Sequence, residues 1–441
     1  MEERLMKMAS GYCGGRIKRI TAAVMALVIS LLCLSAGGCD GGEKLQPGKK
    51  ETTVFIATDI HLFSDNLVGK DNQRYLKDKF ATDGRIQECD YQLVEALVDR
   101  VNEEKPEFLI LTGDLTFNGE RDSHLELARL LRGILDTKVL LIPGNHDVYS
   151  LGAVSVLNDE ITPTESITEE DFRNIYADFG YGDGLYYDEG TLSYIYPLAE
   201  DKWALMLDTS LSRYNEEYDA SLVGGGIEDG TLLWLEEKLS YAKEKGISVI
   251  SFTHHNLLIH NELFADNYTL RNAEQLLDLY AKYDVSLNFS GHLHIQSIKQ
   301  TEHEGKLIHD VCGGSLLDYG NRYGRLDIYD NCYSYSSLPL ELSEEVREHS
   351  FDVFYRKYYN KTLWTYQGKL GAEGAKEAVD LLARINTYYF DGSYTEIHRL
   401  LRENRGTLRK IKKNTQSYDS SYVRSIIEVE KKDQHSLLIE R

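Results

Sequence analysis

The sequence predicts a layered α/β protein that ends in an all-α domain, and three observations predict it. From Thr53 to about Ser336 short apolar runs alternate with helical patterns, the signature of strands and helices packed in layers. Several of those runs stop at a small group of Asp, Asn or His residues, as happens where sheets expose side chains from loops at their strand ends. After Leu340 the apolar spacing becomes wholly helical, with glycines at 368, 371 and 392 between segments. At 441 residues the chain is long enough for about two or three folded units. The expected divisions are 1–38, 39–52, 53–338 and 339–441.

Taken from the start, Arg16, Lys18 and Arg19 precede an apolar run from Ile20 to Ser35 that closes on Ala36-Gly37-Gly38-Cys39. A basic stretch, a short apolar core and small residues before a cut are the marks of an export signal. Ala-Gly-Gly-Cys resembles a bacterial lipobox, in which Cys39 would be acylated. The expectation is an extracytoplasmic lipoprotein anchored to the cell membrane at Cys39, with residues up to Thr52 as its tether. A plain signal peptide or a single membrane helix is the alternative. No later segment has the roughly 20 apolar residues that span a bilayer.

The runs expected as strands are Val54–Ala57, Phe108–Thr112, Val139–Pro143, Trp203–Asp208, Val249–Phe252 and Val285–Ser290. Between them Leu93, Leu97 and Val101, then Leu127, Leu130, Leu131 and Ile134, recur by threes and fours and mark the core faces of helices. A long acidic insertion separates Asp147 from Trp203 and reads as a solvated excursion, with a lid beside the site as the alternative. Helices are expected over Leu342–Tyr359, Ala372–Phe390, Tyr394–Arg405 and Tyr418–Lys431, with Tyr355, Tyr358, Trp364, Tyr366 and Tyr388 as packing residues. Cys89, Cys312 and Cys332 read as buried small apolar residues, with a Cys312–Cys332 bridge as the alternative; the chain has no C-x-x-C pair for a thiolate zinc site.

Net charge is −22 and unevenly placed. Residues after Ser336 carry 18 basic and 16 acidic side chains, whereas those from Cys39 to Tyr335 carry 26 and 53. Such a middle repels polyanions and disfavours binding of a nucleic-acid polymer through its phosphates, so no such partner is expected. A small anionic substrate is admitted if cations dominate the local field.

The chemistry lies in five groups at strand ends. In Thr58-Asp59-Ile60-His61 alternate residues point the same way, so Asp59 and His61 can serve one metal. Gly113-Asp114 supplies a carboxylate able to bridge two cations, with glycine allowing close backbone approach. Gly144-Asn145-His146-Asp147 places a neutral amide beside an imidazole in a tight turn, and Thr253-His254-His255 and Gly291-His292-Leu293-His294 add further imidazoles. Two carboxylates, an amide and four imidazoles are enough for two divalent cations sharing one carboxylate. Asp147 would orient His146 or cap the following turn. Asn118 and Glu120 are candidates to face substrate.

In order and company these residues resemble the calcineurin-like metallophosphoesterase superfamily over roughly Thr53 to Gly314. Within it the chain looks most like bacterial class III cyclic-nucleotide phosphodiesterases, and its trailing helices are similar to the C-terminal domain of a Gram-positive branch. The resemblance implies two mixed β-sheets flanked by helices. It implies that Asp59, His61 and His294 hold one metal, that Asn145, His254 and His292 hold the other, and that Asp114 bridges them. His146 would protonate the leaving oxygen. The metals would be two divalent or trivalent ions of iron, manganese or zinc. His254-His255 is followed by Asn256 where the family often has Pro, so either imidazole could ligate; the reading assigns His254. Gly-Asp-Leu-Thr-Phe-Asn-Gly lacks the Asp and Arg of the protein serine/threonine phosphatases, which argues against phosphoprotein substrates.

The function expected is hydrolysis of small phosphodiesters, cyclic nucleotides above all, by a metal-bridging hydroxide with His146 as general acid. Two rivals stand beside it. One is a phosphomonoesterase or nucleotide-sugar pyrophosphatase on the same site; the other is a non-catalytic lipoprotein that binds a ligand or partner and keeps its metals for structure.

Overall fold

The computed structural model describes residues 45–69, 84–157, 160–414, 418–427 and 432–441. The expectations for the export signal and Cys39 lie outside these residues. Among the described residues no helix is long and apolar enough to cross a membrane.

The chain opens with β1 (Lys50–Ala57), α1 (Asp90–Glu104), β2 (Phe108–Thr112), α2 (Arg121–Leu131) and β3 (Lys138–Ile142). The insertion holds the hairpin β4 (Val154–Leu157) and β5 (Glu160–Pro163), then α3 (Glu169–Ile175) and β6 (Tyr186–Tyr187). Next come β7 (Tyr194–Ala199), β8 (Lys202–Met206), α4 (Asn215–Tyr218), α5 (Asp229–Lys245), β9 (Ser248–Phe252), α6 (Ala273–Tyr283) and β10 (Leu287–Ser290). A run of strands follows, β11 (Ser297–His303), β12 (Lys306–Cys312), β13 (Arg322–Tyr329) and β14 (Cys332–Pro339). The chain ends with α7 (Glu344–Phe390), α8 (Tyr394–Glu403), α9 (Arg405–Asn414), α10 (Tyr418–Ile427) and β15 (Ser436–Glu440). Residues 47–441 form one compact unit.

Two mixed sheets result. One runs in the order β15-β14-β13-β1-β2-β3, the other β11-β12-β10-β9-β8-β7-β6. Strands β1, β2 and β3 are mutually parallel, as are β8, β9 and β10. Parallel strands covered on both faces read as unbroken apolar runs, which is why Phe-Leu-Ile-Leu at β2 and Val-Leu-Leu-Ile at β3 were legible. Phe55, Ile110 and Leu140 of one sheet share a core with Ile250, Phe252 and Phe289 of the other. The Leu93, Leu97 and Val101 face of α1 joins that core, and α5 and α6 make a second one with β8 and β9 through Leu235, Leu239, Leu276 and Tyr280. Helix α1 stops at Lys105, whose left-handed φ of 50° and following Pro106 prevent continuation.

Three findings differ from the sequence expectation. The acidic insertion is no solvated excursion, because Phe172, Tyr176, Phe179 and Tyr194 are buried in the main core. A Thr168–Asp171 capping box starts α3 there, each side chain meeting the other's backbone N–H. The gap expected after Tyr359 is helical, and α7 runs on to a single break at Gly371, where φ is 71° and ψ 172°. The C-terminal segment also supplies a strand, β15, which pairs antiparallel with β14. Its five residues are too short a run to stand out from a helical neighbourhood. Cys89, Cys312 and Cys332 are buried free thiols, so no Cys312–Cys332 bridge forms.

Candidate metal centre

The ends of β1, β2, β3, β9 and β10 meet in space, three from one sheet and two from the other. Five residues there have left-handed backbones: Asp59 (φ 53°), His61 (45°), Asp114 (47°), His292 (65°) and His294 (60°). For non-glycine residues that conformation is uncommon, and its clustering at one site is backbone strain held by the surrounding structure. Close approach adds to the constraint. A Cβ on Gly144 would lie 2.2 Å from Asp114 Oδ1, and one on Gly291 would lie 2.0 Å from Thr58 Oγ1.

Two clusters share Asp114: Asp59, His61, Asp114 and His294 in one, Asp114, His254 and His292 in the other. His294 Nε2 is 3.1 Å from Asp59 Oδ1 and 3.3 Å from His61 Nε2. Asp114 turns Oδ2 toward His61 Nε2 at 3.7 Å and Oδ1 toward His254 Nε2 at 3.3 Å. Thus each carboxylate oxygen faces one cluster.

The far side of each group fixes which atom is presented. His254 Nδ1 donates to the Thr112 carbonyl (2.9 Å) and His294 Nδ1 to Asp318 Oδ2 (2.9 Å), which turns each Nε2 inward. His292 is reversed: Nε2 donates to the Asn267 carbonyl (3.0 Å), so Nδ1 carries the lone pair. Asp59 Oδ2 accepts from Thr58 Oγ1 (2.7 Å) and the His292 N–H (3.0 Å). Asp59 Oδ1, Asn145 Oδ1 and His254 Nε2 are buried without a hydrogen-bond partner. Buried polar atoms are rarely left so, and three such atoms with the donor set around them fit a pair of cations. Of the seven residues the sequence reading named, six fall in the two clusters; Asn145 lines the same pocket as Asp114, His292 and His294.

His254 is the member of its pair that reaches Asp114. Both nitrogens of His255 are engaged elsewhere, Nδ1 with Thr209 Oγ1 (2.8 Å) and Nε2 with the Val223 carbonyl (3.0 Å), and its ring packs 4.4 Å from that of His292. His146 belongs to neither cluster. Its Nδ1 is held by the Phe117 carbonyl (2.9 Å) and Asn118 Oδ1 (2.8 Å), and Nε2 stands 3.9 Å from Asp114 Oδ2 at the pocket edge. Asn118 therefore holds a site residue. Glu120 is buried and accepts from the Asn118 N–H, bracing the turn. Asp147 neither orients His146 nor caps a turn: it accepts from Leu115 N, Thr116 N, Thr116 Oγ1 and Gly144 N, tying the Asp114 loop to the Asn145 loop.

Sequence reasoning missed Asp318, Arg85 and Lys357. Asp318 is one acid in a loop, and the other two lie far along the chain from any motif. All three line a pocket of about 390 Å³ with Asp114, Asn145 and His146.

The charges behave as those of a site built for cations. Burial works against a charged His254, yet the negative charge of Asp114, with Asp59 behind, pushes it up to about 9. Burial opposes a charged His294 as well, and Asp59 and Asp318 push it up to about 9. Below that pH both rings hold protons where the cations would sit. Metal uptake at pH 7 is therefore expected to release protons to the buffer and apparent affinity to rise with pH up to about 9. Calorimetry in buffers of different ionisation heat measures the release; uptake without it would contradict this charge balance.

The calcineurin-like phosphoesterase family model matches residues 52–296. A glycerophosphodiester phosphodiesterase from Enterobacter lignolyticus is 27% identical over 201 residues, 45% of this chain. The match spans 59% of that relative's length. A probable cyclic nucleotide phosphodiesterase from Vesicomyosocius okutanii is 24% identical over 243 residues, 54% of this chain and 84% of the relative. Among solved structures, a dimetal phosphatase from Danio rerio superposes with a TM-score of 0.46 at 14% identity, covering 66% of this chain and 97% of that one.

Proposed function

We propose, since the chain belongs to the calcineurin-like phosphoesterase family and is a metal-dependent phosphoesterase, that its substrates are small phosphodiesters, cyclic nucleotides foremost. The observation that carries the reading is His146, pinned through Nδ1 and free at Nε2 beside the shared carboxylate, where a leaving oxygen would need a proton. The names of the relatives, a glycerophosphodiester phosphodiesterase and a probable cyclic nucleotide phosphodiesterase, support diesters.

In this reading Asp59, His61 and His294 would hold one cation and Asn145, His254 and His292 the other, with Asp114 between them. Two divalent ions, when bound, supply Lewis acidity, draw in a phosphate and make water a usable nucleophile near neutral pH. The chain's own part is to fix that geometry. Asp318 and the Thr112 carbonyl orient the imidazoles, Asp147 holds two loops in register, and His146, its Nδ1–H held by the Phe117 carbonyl and Asn118, would take up a second proton at Nε2 beside the anionic substrate and pass it to the departing alkoxide. A diester's alkoxide leaves poorly, so that proton matters most for unactivated substrates.

Location follows the N-terminal sequence: Arg16 to Cys39 supports export and a lipid anchor. Outside the cytoplasm, 2′,3′-cyclic nucleotides released by RNA breakdown are a fitting substrate. The test is a panel of mono- and diesters, including p-nitrophenyl esters, 2′,3′- and 3′,5′-cyclic nucleotides and a nucleotide sugar, offered to the manganese-loaded chain. Diester hydrolysis exceeding monoester hydrolysis is expected. Preference for monoesters or nucleotide sugars would favour the rival enzymes, and inertness throughout would favour a binding protein.

A further inference from the structure

Helix α9 differs in charge from the chain that carries it. Arg405, Arg409, Lys410, Lys412 and Lys413 stand in its ten residues with no acid among them, in a protein of net charge −22. Arg405, Arg409, Lys412 and Lys413 recur by threes and fours, so they share one face of the helix, and all four are exposed. Ile411, on the other side, is buried among the helices. Among the described residues none of the four forms an ion pair: of the nearby acids, Glu377 is paired with Lys410 at 3.2 Å and Glu403 with Arg399 at 2.8 Å. Like charges three and four residues apart destabilise a helix, and Arg405 sits at the N-terminal end, where the helix dipole is already positive. The dipole suits Lys412 and Lys413 at the opposite end but not Arg405. An anion lying over this face relieves both penalties.

A second observation lies on α7, where Trp364 is 83% exposed while Trp203 and Trp234 pack against the core of α5 and α6. Tyr355 donates to Asp380 Oδ1 at 2.8 Å, although twenty-five residues of continuous helix would put them ~37 Å apart, so α7 folds back on itself at Gly371. Trp364 lies seven residues before that bend and Glu377 six after it, so the Lys410–Glu377 pair brings α9 to the same end of the hairpin. Phe390, at the substrate pocket, is thirteen residues beyond Glu377, about 20 Å of helix away. An exposed indole and a basic face at one end of a molecule suit a bilayer interface, where the ring sits at headgroup level and the cations meet anionic lipid.

We propose that the basic face of α9, together with Trp364, docks the protein on an anionic phospholipid bilayer. The charge of the remaining chain favours lipid over other polyanions. Residues 39–335 carry 26 basic and 53 acidic side chains, which repel a flexible polyanion long enough to reach them. A bilayer touched only at the far end of the hairpin stays clear of that part. The anchor proposed at Cys39 would limit how far the body strays from a membrane; the α9 face sets which way the body turns, and the acidic catalytic part is held off the surface.

The experiment uses residues 47–441, which form one compact unit and carry no acyl anchor to mask the effect. Co-sedimentation is measured with phosphatidylcholine vesicles and with vesicles containing roughly a third phosphatidylglycerol. Binding to the anionic vesicles alone, weakening as salt is raised, is the expected result, and the Trp364 emission should shift to the blue on binding. At roughly fivefold per cation, replacing Arg405, Arg409, Lys412 and Lys413 together by Gln should lower partitioning by about 10²- to 10³-fold. Arg405→Lys with Arg409→Lys should keep most of it, and Trp364→Phe should remove the spectral shift. Unchanged circular dichroism and unchanged diester hydrolysis in solution verify that the variants are folded. Equal wild-type binding to both kinds of vesicle, or to neither, would overturn the proposal without recourse to any variant. So would anionic binding untouched by the four replacements, and so would retention of an RNA oligomer in place of the vesicles.

Discussion

In Asp114→Asn both cations are expected to be lost and diester hydrolysis to fall by roughly 10³-fold or more. The geometry makes Asp114 the one group common to both clusters, with Oδ2 facing His61 and Oδ1 facing His254. An amide keeps one weak oxygen donor, offers no lone pair on the other side and removes a negative charge from a buried site. The same charge keeps His254 up at about 9, so its loss also lowers that ring's affinity for a cation or a proton. Asn is the informative replacement because it tolerates the left-handed backbone at φ 47° better than other residues, which separates loss of metal from loss of fold. Metal analysis and circular dichroism of the purified variant give the result; two retained metals with near-normal hydrolysis would refute the shared-carboxylate arrangement.

The second large effect is expected at His146. His146→Gln should keep its full metal content, because His146 is in neither cluster, yet lose about 10²- to 10⁴-fold on alkyl diesters. On p-nitrophenyl diesters, whose leaving group needs no proton, the loss should be far smaller. The comparison isolates the role: a ligand lost by accident would depress both substrate classes alike. Equal loss on aryl and alkyl diesters would therefore eliminate His146 as the acid and leave it a positioning residue.

How much of this could be read from the sequence depends on how local each signal is. The strands before Asp114 and Asn145 are nearly unbroken apolar runs because both their faces are buried, those before Asp59, His254 and His292 are short buried runs with polar residues among them, and each stops just before its polar group, so position and chemistry were legible together. Asp318 carried no such mark, since its role depends on the distance to His294 Nδ1 and on nothing next to it in the chain. Arg85 and Lys357 come to one pocket only through the packing of α7 against the loop at Gly84. The burial of Phe172 and Tyr176 was hidden by the acidic residues flanking them, which face solvent while the aromatics face inward. Helix α7 outran its expected end because Lys361 to Leu370 has no breaker strong enough to stop a helix before Gly371.

The return of the chain at β15 bears on the pocket as well as on the sheet. Helices α7 to α10 leave from β14 and come back beside it, so the segment that supplies Lys357 and Phe390 is clasped at both its ends by neighbouring strands. A loop held that way loses little entropy on docking, and it cannot swing clear without unzipping a sheet edge. Clipping the final six residues would remove one side of that clasp, and a wound at the very end of the chain would register as a slackened wall around the substrate.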